Sequence, residues 1–203
     1  MNKTSTINGG TLGKTHVMTK IAVLSVFSYV LMLLELPLFF FPEFLKIDLS
    51  DLPALIGALS LGPMAGVLIE LIKNLLNLIT KSSTGGVGEL ANFLIGISLI
   101  VPASMVYKNN RNRKGALMGM AAGTLTMAIV GALANYFILI PFYSNFMPIN
   151  AIIDMSRAAN KYVVDLKSLI LYAVVPFNLI KGTLVSAVTL VIYKKISPIL
   201  KIK

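Results

Sequence analysis

Long, nearly uncharged apolar runs constrain this chain more than any other feature. Residues 17–36, 87–107, 116–140 and 169–193 each reach the length of about 20 residues that carries a helix across a bilayer. A further run, 52–79, is interrupted by Gly62-Pro63. Proline suits the first position of a helix, so the interruption reads as a tight turn between two helices, 52–61 and 64–79. The pattern predicts an all-α integral membrane protein, a bundle of six transmembrane helices. Composition agrees, with 56% of the 203 residues hydrophobic and only 13% charged. A soluble domain of this size needs more charge to cover its surface. The first run is too long for a secretory signal peptide and lacks an A-x-A-like cleavage site after it.

The distribution of charge predicts the orientation. Eleven of the 18 cations fall in three clusters that contain no acid: Lys3, Lys14 and Lys20; Lys108, Arg111, Arg113 and Lys114; Lys194, Lys195, Lys201 and Lys203. The remaining connections mix both signs. This is the positive-inside asymmetry, and it places both termini and the fourth connection in the cytoplasm. An even number of spans requires the same. The net charge of +10 therefore flanks membrane spans and is not a nucleic-acid surface. The outward connections are then 37–51, 80–86 and 141–167, with a short surface helix expected within 147–161. Residues 1–15 read as a flexible tail, and 16–203 as one membrane domain.

Two classes of chemistry lack their residues. There is no cysteine, and the single histidine, His16, lies at the edge of the tail, so a metal centre has almost no ligands and no catalytic set is spaced for use. The stretch NGGTLGKT (8–15) approaches a phosphate loop but has Asn8 where the first glycine belongs and no apolar strand before it. Any ATP hydrolysis must come from another polypeptide.

Ionisable groups within spans are costly and mark function by default. Glu35 sits at a span end. Glu70 and Lys73 lie three residues apart on one helix and can pair with each other. Lys181 has no acid one turn away in either direction, so its partner must come from another helix, a loop or a ligand. Asn178 lies one turn earlier on the same face, and Pro176 interrupts the backbone ladder beside it. Asn135-Tyr136 offers an amide and a phenol near the outer end of the fifth span, a pair suited to the edge and face of a planar heterocycle. Asn92 and Glu89 sit early in the fourth. A lone asparagine is explained by an interhelical hydrogen bond of about 1 kcal/mol. A set confined to the outer and middle membrane points to a ligand.

Four segments carry a resemblance: KIDLSDLPALIGALSLGPMAGVLIELIKNLLNLI (46–79), GGVGELANFLIG (85–96), NYFILIPFY (135–143) and PFNLIKG (176–182). Together the chain resembles the riboflavin-specific substrate-binding component of energy-coupling factor (ECF) transporters, with D-x-S-D-x-P-A-L-I-G as the most specific element. The resemblance implies a multi-pass protein of the bacterial plasma membrane that binds riboflavin as cargo, with no cofactor and no catalysis. It implies as partners a scaffold transmembrane subunit and two ABC ATPase subunits. By matching position, Asn135, Asn178 and Lys181 would hydrogen-bond the isoalloxazine edge. Ile47, Ser50 and Ala54 would line the flavin or ribityl chain, with Glu89 and Asn92 nearby. The family's first helix carries an A-x-x-x-A docking surface; the nearest matches here are Ala22 with Val26 and Ser25 with Tyr29. Rival readings are a component specific for thiamine or biotin, and a stand-alone ion-coupled carrier using Glu70 and Lys73.

Overall fold

The computed structural model describes residues 9–200, and side-chain surroundings over 14–196. Helix α1 spans Gly9–Leu33, so residues 9–15, expected as tail, form its first turns; residues 1–8 lie outside the described residues. The following loop folds on itself through a two-residue antiparallel ladder, β1 (Leu36–Pro37) with β2 (Lys46–Ile47). Then come α2 (Asp51–Leu61), α3 (Pro63–Thr80), α4 (Val87–Asn109) and α5 (Arg113–Ala134). A π-helical turn, Asn135–Leu139, extends α5 into α6 (Ile140–Tyr143). The surface helix expected after it is α7 (Ile149–Ala159). Finally α8 (Leu166–Leu169) runs through a second π-helical turn, Ile170–Val174, into α9 (Val175–Leu200).

Five of these stretches are long and apolar enough to cross a membrane: Lys14–Leu33, Pro63–Thr80, Val87–Asn109, Arg113–Tyr143 and Leu166–Ile196. The sixth predicted span is different. Helix α2 has 11 residues and is therefore about 16 Å long, roughly half a bilayer core. Its surroundings explain why it is short. It packs against α1, α3, α4 and α9, and everything from Asp51 to Leu59 is buried. It is a central strut.

Helices α2 and α3 form an antiparallel hairpin. Gly62 makes the turn with φ 110°, which an L side chain rarely adopts, and Pro63 opens α3 with the backbone angle a helix needs. Gly66 then lies against Ala54 and Ala58, and Asp51 at the start of α2 reaches Lys73 in the body of α3. The loop 34–50 therefore descends into the bundle before α2 begins.

Polarity is inverted relative to a soluble protein. Val23, Phe27 and Val30 of α1, Leu68, Leu71 and Leu75 of α3, and Leu125, Ile129 and Leu133 of α5 are exposed, while Glu70, Lys73, Asn135 and Asn178 are buried. Water would not tolerate that outer surface, but lipid does. The apolar interior has two parts. One surrounds α2; the other lies under loop 34–50, where Leu45 packs with Ile140, Ile152, Val163, Leu169 and Phe177. On α1, Ala22 and Val26 face outward, whereas Ser25 is buried.

Candidate functional site

Both π-helical turns have a traceable cause and both flank one cavity. Pro141 and Pro176 have no N–H to return to a carbonyl in the preceding turn, which disrupts the helical ladder. The Tyr172 carbonyl, four residues before Pro176, instead accepts from Asn160 Nδ2 at 3.0 Å. The side chains at these irregularities, Asn135 and Leu139 on one helix and Phe177, Asn178 and Lys181 on the other, open into a cavity of about 450 Å3. Loop 34–50 contributes Phe44, Leu45, Lys46 and Asp48, and α4 contributes Glu89, Asn92, Ile95 and Gly96. This volume lies within the range of small-molecule sites, about 300–1,000 Å3.

The floor is a buried charge network. Lys181 Nζ donates to Asp48 Oδ2 at 2.9 Å and stands 3.4 Å from Asp51 Oδ2. Asp51 Oδ1 accepts from Lys73 at 2.8 Å, and Lys73 also pairs with Glu70 at 2.7 Å and donates to Ser50 Oγ at 3.0 Å. Asp48 Oδ1 accepts from the Ser50 backbone N–H at 2.8 Å, which fixes the carboxylate. Three acids thus meet two lysines, all almost fully buried. Glu70 and Lys73 pair as the sequence predicts, but within a network that also ties α2, α3, α9 and the loop together.

The polar wall is amide-rich. Asn178 Nδ2 donates to the Val174 carbonyl and Asn135 Nδ2 to the Gly131 carbonyl, both at 2.9 Å. Gly131 has a second role: a Cβ there would stand 2.5 Å from Asn178 Nδ2, so α5 leaves the space that Asn178 occupies. The Oδ1 atoms of Asn135 and Asn92 are buried without a hydrogen-bond partner among the described residues. Glu89 is held in place, accepting from Asn77 Nδ2 at 2.9 Å and Thr84 Oγ1 at 3.0 Å. At the mouth Glu35 Oε1 accepts from Lys46 at 2.8 Å and Lys81 at 3.3 Å. Burial alone would raise the Glu35 pKa, but these two ammonium groups outweigh it and hold the carboxyl below its ordinary value.

Of the nine residues singled out from sequence, five line the cavity: Asn135, Asn178, Lys181, Glu89 and Asn92. Four do not. Ile47 lies between Lys46 and Asp48, which face the cavity, so strand alternation turns it away into the second core. Ser50 is buried and bonded to Lys73. Ala54, one turn into α2, is enclosed in the hairpin contact with Gly66. Tyr136, the next residue along the helix, leaves it at a different angle from Asn135; it is exposed and meets Phe137 edge-on at 4.9 Å. Sequence reasoning passed over Asp48, Asp51, Asn77 and Phe177. For the two aspartates a signal existed: the D-x-S-D element holds two carboxylates one turn apart, and Lys181 lacks a local partner.

Comparison with known proteins decides the family. Residues 16–193 match the family of the substrate-specific component of ECF transporters. The chain belongs to that family. Its members are transporter components and not enzymes. The chain is 37% identical to the riboflavin transporter RibU of Staphylococcus aureus (strain TCH60), covering 89% of this chain and 90% of that protein. It is 35% identical to the riboflavin transporter FmnP of Bacillus subtilis (strain 168), covering 91% and 94%. A solved structure of the S component of a bacterial ECF transporter superposes with a TM-score of 0.73 at 33% identity, covering 93% of this chain and 99% of that one. The cavity thus sits in a substrate-specific component, at the junction of the loop, α4, α5 and α9.

Proposed function

We propose that this chain is the riboflavin-binding subunit of an ECF transporter, a six-span protein of the bacterial plasma membrane. The observation that carries the reading is the cavity in which two π-interrupted helices present Asn135, Asn178 and Lys181 together. The pyrimidine edge of isoalloxazine alternates carbonyl and ring-nitrogen acceptors with an imide N–H. An ammonium and amide N–H groups suit the acceptors, and the unpartnered Asn135 Oδ1 suits the imide. Phe177, Tyr143, Leu139 and Ile95 supply flat and aliphatic wall for the ring body. Both relatives above are named riboflavin transporters, which favours this ligand over thiamine or biotin.

The orientation follows from the arrangement of the ends. Val17, Gly62, Lys108, Arg111 and Tyr193 line a second cavity, so the basic regions of α1, the α4–α5 connection and α9 share one end of the bundle. Loop 34–50 and the ligand cavity lie toward the other. Under the positive-inside rule the basic end faces the cytoplasm and the cavity opens outward. α2 and its descending loop together complete the sixth crossing, and the described part of residues 16–203 forms one unit. Membership of the ECF substrate-specific family supports a complex in which two ATPase subunits and a scaffold membrane subunit join this chain.

The test is direct. Protein purified from flavin-fed cells should carry flavin absorbance, and the ligand-free protein should quench riboflavin fluorescence on titration. Uptake in vesicles should require the ATPase partners. A protein that binds thiamine or biotin but no flavin, or uptake that persists without the ATPases, contradicts the reading.

A further inference from the structure

Each lysine that faces the ligand cavity is bonded to a carboxylate. Lys181 is held by Asp48, and the two at the mouth, Lys46 and Lys81, converge on one oxygen of Glu35. Two ammonium groups within reach of one point form a ready grip for a phosphate monoester, since each supplies several donors and a full charge. Glu35 occupies that point. It directly precedes β1, while Lys46 opens the paired strand β2 and Lys81 follows α3, so the loop hairpin and the end of α3 are brought to one place. The acid is 32% exposed, and the lysines 45% and 50%, so an arriving anion can reach all three groups. A phosphate entering here must displace Glu35 or lie beside it, against like charge. A neutral polyol chain meets no such opposition.

We infer that Glu35 is a specificity-determining residue: by occupying Lys46 and Lys81 it turns the cavity mouth against phosphorylated forms of the ligand. The inference rests on the flavin reading above and extends it to the substituent on the ribityl end. Glu35 acts as an internal competitor for a latent phosphate clamp. At neutral pH it is ionised, consistent with the two cations that hold its carboxyl in that form.

The experiment compares riboflavin with riboflavin 5′-phosphate by fluorescence titration on the full-length protein. The proteins are the wild type, Glu35→Gln, and Glu35→Gln combined with Lys81→Gln. Wild type should favour riboflavin. Glu35→Gln should move the ratio of the two affinities toward the phosphate by about tenfold or more, the size of a recovered charge-assisted contact. The gain should fall as salt is raised, because the lysines are partly exposed, and should largely vanish in the double variant. A ratio that Glu35→Gln leaves in place while riboflavin still binds overturns the inference and leaves the flavin reading standing. A wild type that binds neither flavin overturns both. Should Glu35→Gln not fold, Glu35→Ala serves. It likewise removes the carboxylate and should move the ratio the same way; no movement there also overturns the inference.

Discussion

Replacing Lys181 with methionine should separate two roles of one side chain. Methionine keeps most of the length and removes the charge. The Lys181 ammonium now serves Asp48 at 2.9 Å and Asp51 at 3.4 Å. Asp51 would keep Lys73 at 2.8 Å, but Asp48 would keep only the Ser50 backbone N–H. The damage therefore concentrates on one stranded carboxylate. Breaking a buried pair from one side destabilises by about 3–5 kcal/mol. Because Asp48 borders the cavity, where water can enter, the lower end of about 3 kcal/mol is the expectation for Lys181→Met. Riboflavin affinity should fall separately, by the about 1.5–3 kcal/mol of a charge-assisted hydrogen bond, which is about 10- to 150-fold. Adding Asp48→Asn removes the stranded charge, so the double variant should regain most of the stability and little of the affinity. Thermal unfolding in micelles reads the first quantity, and fluorescence titration the second. If affinity returns together with stability in the double variant, the lysine is only a structural tie and the site assignment is wrong.

Further outcomes follow from the same geometry. Gly131→Ala places a Cβ 2.5 Å from Asn178 Nδ2 and should weaken riboflavin binding about tenfold, with an overpacking loss of about 1–3 kcal/mol by thermal unfolding. Lys73→Met strands Glu70 inside the bundle and leaves Asp51 only the 3.4 Å contact to Lys181, so it should be the most destabilising of these changes, at about 3–5 kcal/mol. Tyr136→Phe should leave riboflavin affinity within about twofold, since that phenol faces away from the cavity and aromatic contact survives the change. Glu35 has a folded pKa below its ordinary 4.5, so its contribution to stability is present above that value and is lost as pH falls through the lower, folded value. The stability difference between wild type and Glu35→Gln, about 0.5–1 kcal/mol for partly exposed ion pairs, should hold from pH 7 to 5 and disappear in more acidic buffer.

The long helices were legible because each needs only its own residues: α4 and the bodies of α5 and α9 follow from apolar runs of membrane length. The hairpin at Gly62-Pro63 was legible for the same local reason. What the chain does not display is pairing at a distance. Lys181 visibly lacks a local partner, yet the aspartate that meets it is 133 positions away. The sequence placed that partner in another helix, a loop or a ligand and favoured a ligand; the structure supplies a loop carboxylate beside the cavity. The depth of loop 34–50 was hidden too: hydropathy gave the start of α2 to within a residue, but that this start lies inside the bundle shows only in Asp51 meeting Lys73. Site residues divided by the angle at which they leave the backbone. Asn135 and Tyr136 are adjacent in sequence but face the cavity and the exterior, and Ile47 is turned aside by its two cavity-facing neighbours. Element phase was the missing information in both cases.

The most direct test of the central claim is an experimental structure of the protein with riboflavin bound. The account predicts the pyrimidine edge of the flavin between Asn135, Asn178 and Lys181, with Phe177 along the ring and the ribityl chain toward Glu89 and the mouth. Flavin bound elsewhere, with Lys181 still engaged only by Asp48 and Asp51 and the cavity beside it unfilled, would contradict it.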